Sequence, residues 1–282
     1  MASNMVKFVK MHSAGNDFMA IDLITQDCTL DPHRIKMWAD RHTGIGFDQL
    51  ITLGAPEIPE ADFSYNAYNA DGSQAEQCGN GAVCISMLAK HLRLTTQTAL
   101  ALQTVAGITH TLHKGRNQVQ VDMGKPATEA ELVPFNKEKG RAVSTGTFVL
   151  QGDGILHEVR PISMGNPHGV IFVQDLESPN IESVGKQLSS HPFFPNGANI
   201  GFCKIVNENL IELRVYERGV GETLACGTGA CAAVVAGQSE EMLEKSVRVE
   251  LPGGMLQVSR LNKNSTVELV GEANLIFEGL ID

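Results

Sequence analysis

The sequence predicts an α+β fold with two pseudo-symmetric domains, each a curved, mostly antiparallel sheet wrapped around a central buried helix. Three observations predict it. The segment around Cys78 returns around Cys226, so the chain contains a long internal repeat. Short runs rich in Val, Ile, Phe and Thr, typical of strands, occur along both halves. A stretch that is apolar on nearly every face follows each of the two cysteines, and such a helix must be buried on all sides.

The repeat covers whole halves of the chain. Residues 68–82 align without a gap with residues 216–230, an offset of 148, and each copy carries the turn Cys-Gly-x-Gly-Ala. Residues 119–124 match 267–272, and 102–108 match 250–256, at the same offset. Upstream, Gly15-Asn16 matches Gly165-Asn166 at an offset of 150. One such long period indicates duplication of a domain rather than a solenoid, whose repeats are only tens of residues long.

The length of 282 residues also suits two domains. We predict an N-terminal domain of residues 1–124 plus 272–282, which carries Cys78. Residues 125–271 form the predicted C-terminal domain, which carries Cys226, and the active site is expected in the cleft between the two. Residues 127–141 are charged, contain Pro134 and end near Gly140, a composition that indicates a linker.

The strand and helix predictions follow from local composition. The predicted strands are residues 6–9, 49–52, 147–150, 170–173, 210–215, 247–251 and 266–270. The predicted central helices follow the cysteine turns and include residues 82–89 and 230–236.

Composition narrows the class of function. A hydrophobic content of 43% and a charged content of 19% are those of an ordinary globular protein. A formal net charge of −10 argues against a nucleic-acid partner. No apolar run reaches membrane-spanning length, and no signal-peptide core follows Lys7 and Lys10. We therefore predict a cytoplasmic protein without a membrane or nucleic-acid partner.

The six cysteines are expected to be reduced in such a compartment. Neither the Cys78–Cys84 spacing nor the Cys226–Cys231 spacing matches that of zinc-binding cysteines, so no metal is predicted. The other four cysteines are predicted to be packing residues: Cys28, Cys84, Cys203 and Cys231.

The Cys-Gly-x-Gly turn combines two chemical abilities. Glycine permits positive φ and close approach of a ligand, and a helix that begins there presents N–H groups without intrahelical partners. These donors can hold a carboxylate, and the same field favours thiolate over thiol. A single buried cysteine at a tight turn is better explained by packing. Two in register favour a pair of bases that act on opposite faces of one carbon.

Eight motifs in order resemble the diaminopimelate epimerase family. They are Met11-His-Ser-Ala-Gly-Asn-Asp-Phe18, Gly46-Phe-Asp-Gln-Leu50, Tyr68-Asn-Ala-Asp-Gly72, Gln77-Cys-Gly-Asn-Gly-Ala82, Met164-Gly-Asn-Pro-His168, Asn199-Ile-Gly-Phe202, Tyr216-Glu-Arg-Gly219 and Ala225-Cys-Gly-Thr-Gly-Ala230. The one departure is Ser13-Ala14, where the family has glycine and another small residue. The resemblance implies a cofactor-independent isomerase that interconverts LL- and meso-2,6-diaminopimelate for lysine and peptidoglycan synthesis. It also implies a homodimer.

The resemblance assigns roles to residues. Cys226 is then the base and Cys78 the acid in the LL-to-meso direction. Glu217 accepts the ammonium at the reacting end, and His168 helps to set the protonation of the thiols. Arg218 holds the distal carboxylate with its planar fork. The remaining implied substrate-binding residues are Asn16, Gln49, Asn69, Gly79, Asn80, Asn166, Asn199, Gly227 and Thr228.

Other interpretations stay open at this point. Asn16, Asn69 and Asn166 stand beside residues that favour turns, and Asp48 and Asp71 are expected to be turn or cap residues. A racemase of proline or hydroxyproline with the same architecture would leave Arg218 without an evident role. An isomerase of the phenazine-pathway type does not need two cysteines. A non-catalytic amino-acid-binding protein and a redox protein that forms a Cys78–Cys226 disulfide are the remaining alternatives.

Overall fold

The computed structural model describes residues 5–75, 78–128, 133–177 and 180–282. Their contacts divide the chain into two compact units. Unit 1 is Met1–Asp122 with Val270–Asp282, and unit 2 is Met123–Leu269. Strands and helices are numbered along the whole chain, and strand β17 (Glu268–Glu272) crosses from unit 2 back into unit 1.

Unit 1 is one sheet around one helix. Its elements are β1 (Val6–Ser13), β2 (Asn16–Asp22), α1 (Pro32–Ala39), β3 (Gln49–Gly54), β4 (Phe63–Asn69), α2 (Gly79–His91), β5 (Ala99–Thr104), β6 (Gly107–His113), β7 (Gln118–Asp122) and β18 (Asn274–Ile281). The pairings give the strand order β18-β1-β2-β3-β4-β5-β6-β7, and only β2–β3 and β4–β5 are parallel in it. Helix α2 contacts β1, β2, β3, β4, β6 and β7, so the sheet curves around it.

Unit 2 repeats this plan. Its elements are β8 (Arg141–Ser144), β9 (Thr147–Gly152), β10 (Ile155–Ser163), β11 (Pro167–Phe172), α3 (Ile181–Ser189), β12 (Asn199–Asn207), β13 (Leu210–Glu217), β14 (Gly221–Thr223), α4 (Gly227–Ser239), β15 (Ser246–Leu251) and β16 (Gly254–Ser259). The strand order is β8-β9-β10-β11-β12-β13-β15-β16, and β14 also pairs with β13. The parallel pairs, β11–β12 and β13–β15, lie where unit 1 has its own.

The central helices are buried as predicted. Ten of the thirteen residues of α2 and eleven of the thirteen of α4 are buried. Cys84 and Cys231 lie inside these helices and are fully buried, as is Cys203, which confirms their packing role. Each of the seven predicted strands overlaps an observed one. The α+β class with two pseudo-symmetric halves is therefore confirmed.

The prediction that residues 127–141 form a linker is wrong. Residues 129–132 lie outside the described residues, but the parts on either side belong to unit 2. The ring of Phe135 stacks on Phe193 at 4.8 Å, and the N–H of Asn136 donates to the Phe193 carbonyl at 2.7 Å. Val133 is 1% exposed. The many charged residues of this segment suggested a linker, but two apolar side chains, Val133 and Phe135, anchor it to the unit 2 core.

Candidate active site

Cys78 caps the N-terminus of α2. Its backbone is extended, with φ −134° and ψ 104°, and its Sγ accepts a hydrogen bond from the N–H of Gly81 at 3.2 Å. The sulfur therefore takes the place of the oxygen that usually caps a helix. Because the first N–H groups of a helix have no intrahelical partners, donors for an anion lie directly beside the thiol.

Tyr65 fixes the backbone of this turn. Its hydroxyl donates to the Cys78 carbonyl at 3.0 Å. A Cβ at Gly81 would lie 2.1 Å from that hydroxyl, so only glycine fits there while Tyr65 keeps its position. The glycine is therefore required by a close approach between α2 and β4.

Three amides of unit 1 meet at one edge of its sheet. Asn16 begins β2, Gln49 begins β3 and Asn69 ends β4, and the register places Gln49 opposite Asn69. Gln49 Nε2 donates to Asn69 Oδ1 at 3.0 Å. Asn16 Oδ1 lies 3.8 Å from Cys78 Sγ and accepts from Asn80 Nδ2 at 3.5 Å. The structure thus places Asn16 beside Cys78, with Asn80 bonded to Asn16, and pairs Gln49 with Asn69.

Two amide oxygens of this group are buried without a hydrogen-bond donor among the described residues. They are Gln49 Oε1 and Asn80 Oδ1. A buried acceptor without a partner costs about 1–3 kcal/mol.

A charged cluster supports Asn16 from behind. Arg41 donates to both carboxylate oxygens of Asp17, at 3.0 and 2.8 Å, and to Asp48 at 2.7 Å. Lys10 donates to Asp17 and to the Gly46 carbonyl. Burial opposes ionisation of Asp17, but the hydrogen bonds from Arg41 and Lys10 outweigh it and lower its pKa to about 2. Burial raises the pKa of Asp48.

Sequence reasoning missed this cluster because it expected Asp48 to be only a turn residue. Asp48 does accept from the N–H of Asp17, but it also accepts from the Asn16 side chain at 3.0 Å. Its position next to Gln49 was the available signal.

Cys226 caps α4 with nearly the same backbone, φ −130° and ψ 109°. It is only 5% exposed. Burial raises the pKa of its thiol well above the usual range, and the negative charge of Glu217 raises it further. Hydrogen bonds from the Thr228 hydroxyl, 3.6 Å from Sγ, and from the Gly229 N–H act in the opposite direction. The cysteine is therefore a thiol in the unliganded protein.

Glu217 and Arg218 are held at the end of β13. The Thr223 hydroxyl donates to Glu217 at 2.5 Å. The N–H of Arg218 donates to Asn199 Oδ1 at 2.8 Å, and its guanidinium donates to the Asn196 carbonyl at 2.9 Å. These bonds fix the orientation of the Glu217 carboxylate and the Arg218 guanidinium at the end of β13.

His168 connects to Cys226 through two side chains. Its Nε2–H donates to Asn166 Oδ1 at 3.0 Å, and Asn166 Nδ2 donates to Thr228 at 3.4 Å. His168 is 1% exposed, and burial, with the nearby charge of Arg218, lowers its pKa to about 3. The ring is therefore neutral at physiological pH. It orients Asn166 rather than supplying a positive charge.

The strand registers show which residues of the two units correspond. Phe18 pairs with Gln49 in unit 1, and His168 pairs with Asn199 in unit 2. By the same reasoning Asn16 corresponds to Asn166. Asn69, opposite Gln49, corresponds to Glu217, which follows the Ile200–Tyr216 pair by one position. Unit 1 therefore presents neutral amides, whereas unit 2 replaces phenylalanine and asparagine by histidine and glutamate.

The described residues hold neither a cluster of potential metal ligands nor a membrane-spanning helix. They contain no group of three or more His, Cys, Asp and Glu side chains arranged to hold a metal ion. None of their helices is both long enough and apolar enough to span a membrane.

Comparison with known proteins gives a consistent family. The diaminopimelate epimerase family model matches residues 8–129 and 161–276. A diaminopimelate epimerase of Pseudomonas aeruginosa is 44% identical over 277 residues, which cover 98% of this chain and 99% of that one. The enzyme of the same name from Azotobacter vinelandii is 42% identical over the same shares.

Solved structures match at lower identity. A hydroxyproline epimerase from Agrobacterium vitis has a TM-score of 0.74 at 12% identity, over 99% of this chain and 93% of that one. A phenazine biosynthesis protein from Bacillus anthracis has a TM-score of 0.68 at 15% identity, over 98% and 99%. At these identities the likeness establishes a shared fold only.

Proposed function

The chain belongs to the diaminopimelate epimerase family, and on that basis we propose that it interconverts LL- and meso-2,6-diaminopimelate by a two-base mechanism. The observation that carries the mechanism is the pair of cysteine N-caps with matching backbone angles. The proposal requires both sulfurs to reach one α-carbon from opposite faces. The cleft between the domains is the proposed place for that carbon.

The α-carboxylate is proposed to bind at the two helix starts. There the backbone N–H groups of Gly79-Asn80 and Gly227-Thr228 have no intrahelical acceptor. Hydrogen bonds to this carboxylate help to delocalise the negative charge that develops when the neighbouring carbon loses its proton.

The ends of the substrate differ in their partners. Glu217 is proposed to accept the ammonium of the reacting end, and Arg218 to hold the distal carboxylate through its planar fork. The amides Asn16, Gln49, Asn69, Asn166 and Asn199 complete the proposed binding set.

Substrate binding is proposed to activate Cys226. An ammonium beside Glu217 offsets the carboxylate charge, which is the second cause of the raised pKa of Cys226. As the substrate binds, Cys226 gives up its S–H proton to solvent. The resulting thiolate then takes the α-proton: the C–H bond breaks, the Cys226 S–H bond forms again, and the electron pair stays on the carbon. Cys78 gives its proton to the opposite face and becomes the thiolate. The product has inverted configuration, and the reverse reaction exchanges the two roles.

We propose further that His168 acts on this pair through Asn166 and Thr228. No cofactor is proposed, because thiolate and thiol together supply the proton transfers. A cytoplasmic homodimer is the proposed state of the protein. Exposed apolar side chains on β18, such as Ile276 and Phe277, support a subunit interface, and light scattering coupled to size-exclusion chromatography tests it.

A side-by-side substrate assay tests the proposed function. LL-diaminopimelate, L-proline and trans-4-hydroxy-L-proline are each incubated with the protein under reducing conditions without added pyridoxal phosphate. Chiral chromatography then follows the products. We expect meso-diaminopimelate and no inversion of the cyclic amino acids, because a cyclic monocarboxylate has no distal carboxylate for Arg218. Inversion of proline in place of diaminopimelate would refute the assignment.

A further inference from the structure

The Asn16 amide lies between a carboxylate and a thiol. Its Nδ2 is 3.0 Å from Asp48 Oδ2, and its Oδ1 is 3.8 Å from Cys78 Sγ. An ionised carboxylate can only accept hydrogen bonds, so the amide group that faces Asp48 must be the NH₂. The carbonyl oxygen therefore faces the sulfur.

Asp48 is itself held in place. Arg41 donates to its Oδ1 at 2.7 Å, and the N–H of Asp17 donates to its Oδ2 at 3.1 Å. The N–H of Asp48 donates back to Asp17 at 2.9 Å. Lys10 and Arg41 both bind the Asp17 carboxylate. These contacts join β1, β2 and the segment before β3, so the carboxylate cannot turn away without breaking several charged hydrogen bonds.

Asn16 acts on the Cys78 sulfur differently from the other groups around it. The Tyr65 hydroxyl binds the Cys78 carbonyl rather than its sulfur. Cys84, buried in the same helix, interacts electrostatically with Cys78, and Asn80 donates to Asn16. The N–H of Gly81 donates to the sulfur, which favours the thiolate. The Asn16 oxygen accepts from S–H and has the opposite effect.

We propose that Asp48, clamped by Arg41 and Asp17, is a positioning residue that keeps the Asn16 carbonyl toward Cys78 and so holds Cys78 as a thiol. This inference deepens the proposed function and rests on it, because a protonated Cys78 is the acid required in the LL-to-meso direction. Without the carboxylate, the Asn16 amide can turn its NH₂ toward the sulfur and stabilise the thiolate instead.

The test is the pH dependence of Cys78 alkylation by iodoacetamide in Asp48→Ala, with peptide fragmentation to assign the label. The thiolate is the reacting form. We expect the Cys78 pKa to fall by about one unit, and its alkylation rate at pH 7 to rise about tenfold. Asp40→Ala is the matched control, since Asp40 caps a turn at His42 and Thr43, and it should leave Cys78 unchanged.

Loss of charge alone would also lower the Cys78 pKa, so the same change is made in an Asn16→Ala background. If Asp48 acts through Asn16, Asp48→Ala lowers the Cys78 pKa much less in that background, where only the loss of charge remains. An unchanged Cys78 in the single variant, or an equal shift in both backgrounds, would overturn the proposal. Asp48→Ser carries the same expectation if Asp48→Ala does not fold. The readout needs no turnover, so it separates this inference from a failure of the proposed function.

Discussion

At the scale of single residues, Glu217 affects how readily Cys226 gives up its proton. Its carboxylate raises the pKa of a thiol that burial already raises. This arrangement is useful only if something removes the charge when the base is needed. In the proposed mechanism the substrate ammonium has that role, because it binds at Glu217 together with the carbon to be deprotonated.

Replacement of the Glu217 carboxylate tests this control. We expect Glu217→Gln to lower the Cys226 pKa by roughly one unit, because the nearby negative charge is gone. Alkylation of Cys226 at a fixed pH should become about tenfold faster, as measured by peptide mass mapping. Glu222→Gln is the control, because that carboxylate pairs with Arg214. A Cys226 rate that does not change in Glu217→Gln would contradict the electrostatic account.

His168 is a second residue with a measurable signature. Its folded-state pKa of about 3 lies below the ordinary value of 6.5, so protonation favours the unfolded chain. The stabilisation from its neutral ring is complete above pH 6.5 and is lost as the pH falls toward 3. From pH 7.5 to 5.5 this loss is about 1.4 kcal/mol.

The variant His168→Phe should not show this loss of stability between pH 7.5 and 5.5. Phenylalanine occupies the corresponding position, Phe18, in unit 1. The free energy of unfolding is measured in urea at pH 7.5 and 5.5 for both proteins. The wild type should lose about 1.4 kcal/mol more than the variant. Asp17 cannot produce the difference, because its titration lies below pH 4. Equal losses would show that folding does not lower the pKa of His168.

At the scale of secondary-structure elements, the first turns of α2 and α4 differ in their packing. The backbone angles of their N-cap cysteines are nearly the same. A Cβ at Gly81 would lie 2.1 Å from the Tyr65 hydroxyl. At Gly229 the nearest atom is a Val215 methyl carbon at 3.1 Å. The first contact is forbidden while Tyr65 holds the Cys78 carbonyl, whereas the second needs only a small adjustment.

Alanine at each glycine therefore forms a matched pair. Gly81→Ala should destabilise the protein by about 1–3 kcal/mol through overpacking. Gly229→Ala should change stability by less than about 1 kcal/mol, because the gain in helix propensity offsets a mild contact. Urea unfolding measures both. An equal cost would mean that Tyr65 moves freely and does not fix the turn.

Local sequence features predicted the elements that carry the cysteines. Two all-apolar stretches after matching Cys-Gly-x-Gly turns identified α2 and α4, because complete burial leaves a direct trace in composition. The Asp17–Arg41–Asp48 cluster left no such trace. Its members come from separate segments and meet only through the parallel pairing of β2 and β3. The role of Tyr65 was also hidden, because strand composition does not show which side chain reaches a helix start.

The molecule as a whole is a duplicated unit whose copies have diverged chemically. The repeat predicted two related halves, and the strand registers now relate Asn69 to Glu217 and Phe18 to His168. Sequence offsets alone could not pair the second set securely, because the offset changes from 148 to 150 along the chain. The domain boundaries at 124/125 and 271/272 stay a prediction.

Divergence between the halves has a functional consequence. The proposed two-base reaction uses two thiols of similar placement but opposite initial protonation. Duplication supplies the similar placement. The different neighbours, an amide oxygen at Cys78 and a carboxylate at Cys226, are the proposed separate controls over the two protons.

The most direct test of the two-thiol claim is epimerisation of LL-diaminopimelate in heavy water by the wild type, Cys78→Ala and Cys226→Ala, with circular dichroism to verify folding. The account predicts that the wild type forms meso product with one deuterium at the inverted α-carbon. Each folded variant should lose at least about 100-fold in turnover. Near wild-type epimerisation by either variant would contradict the account.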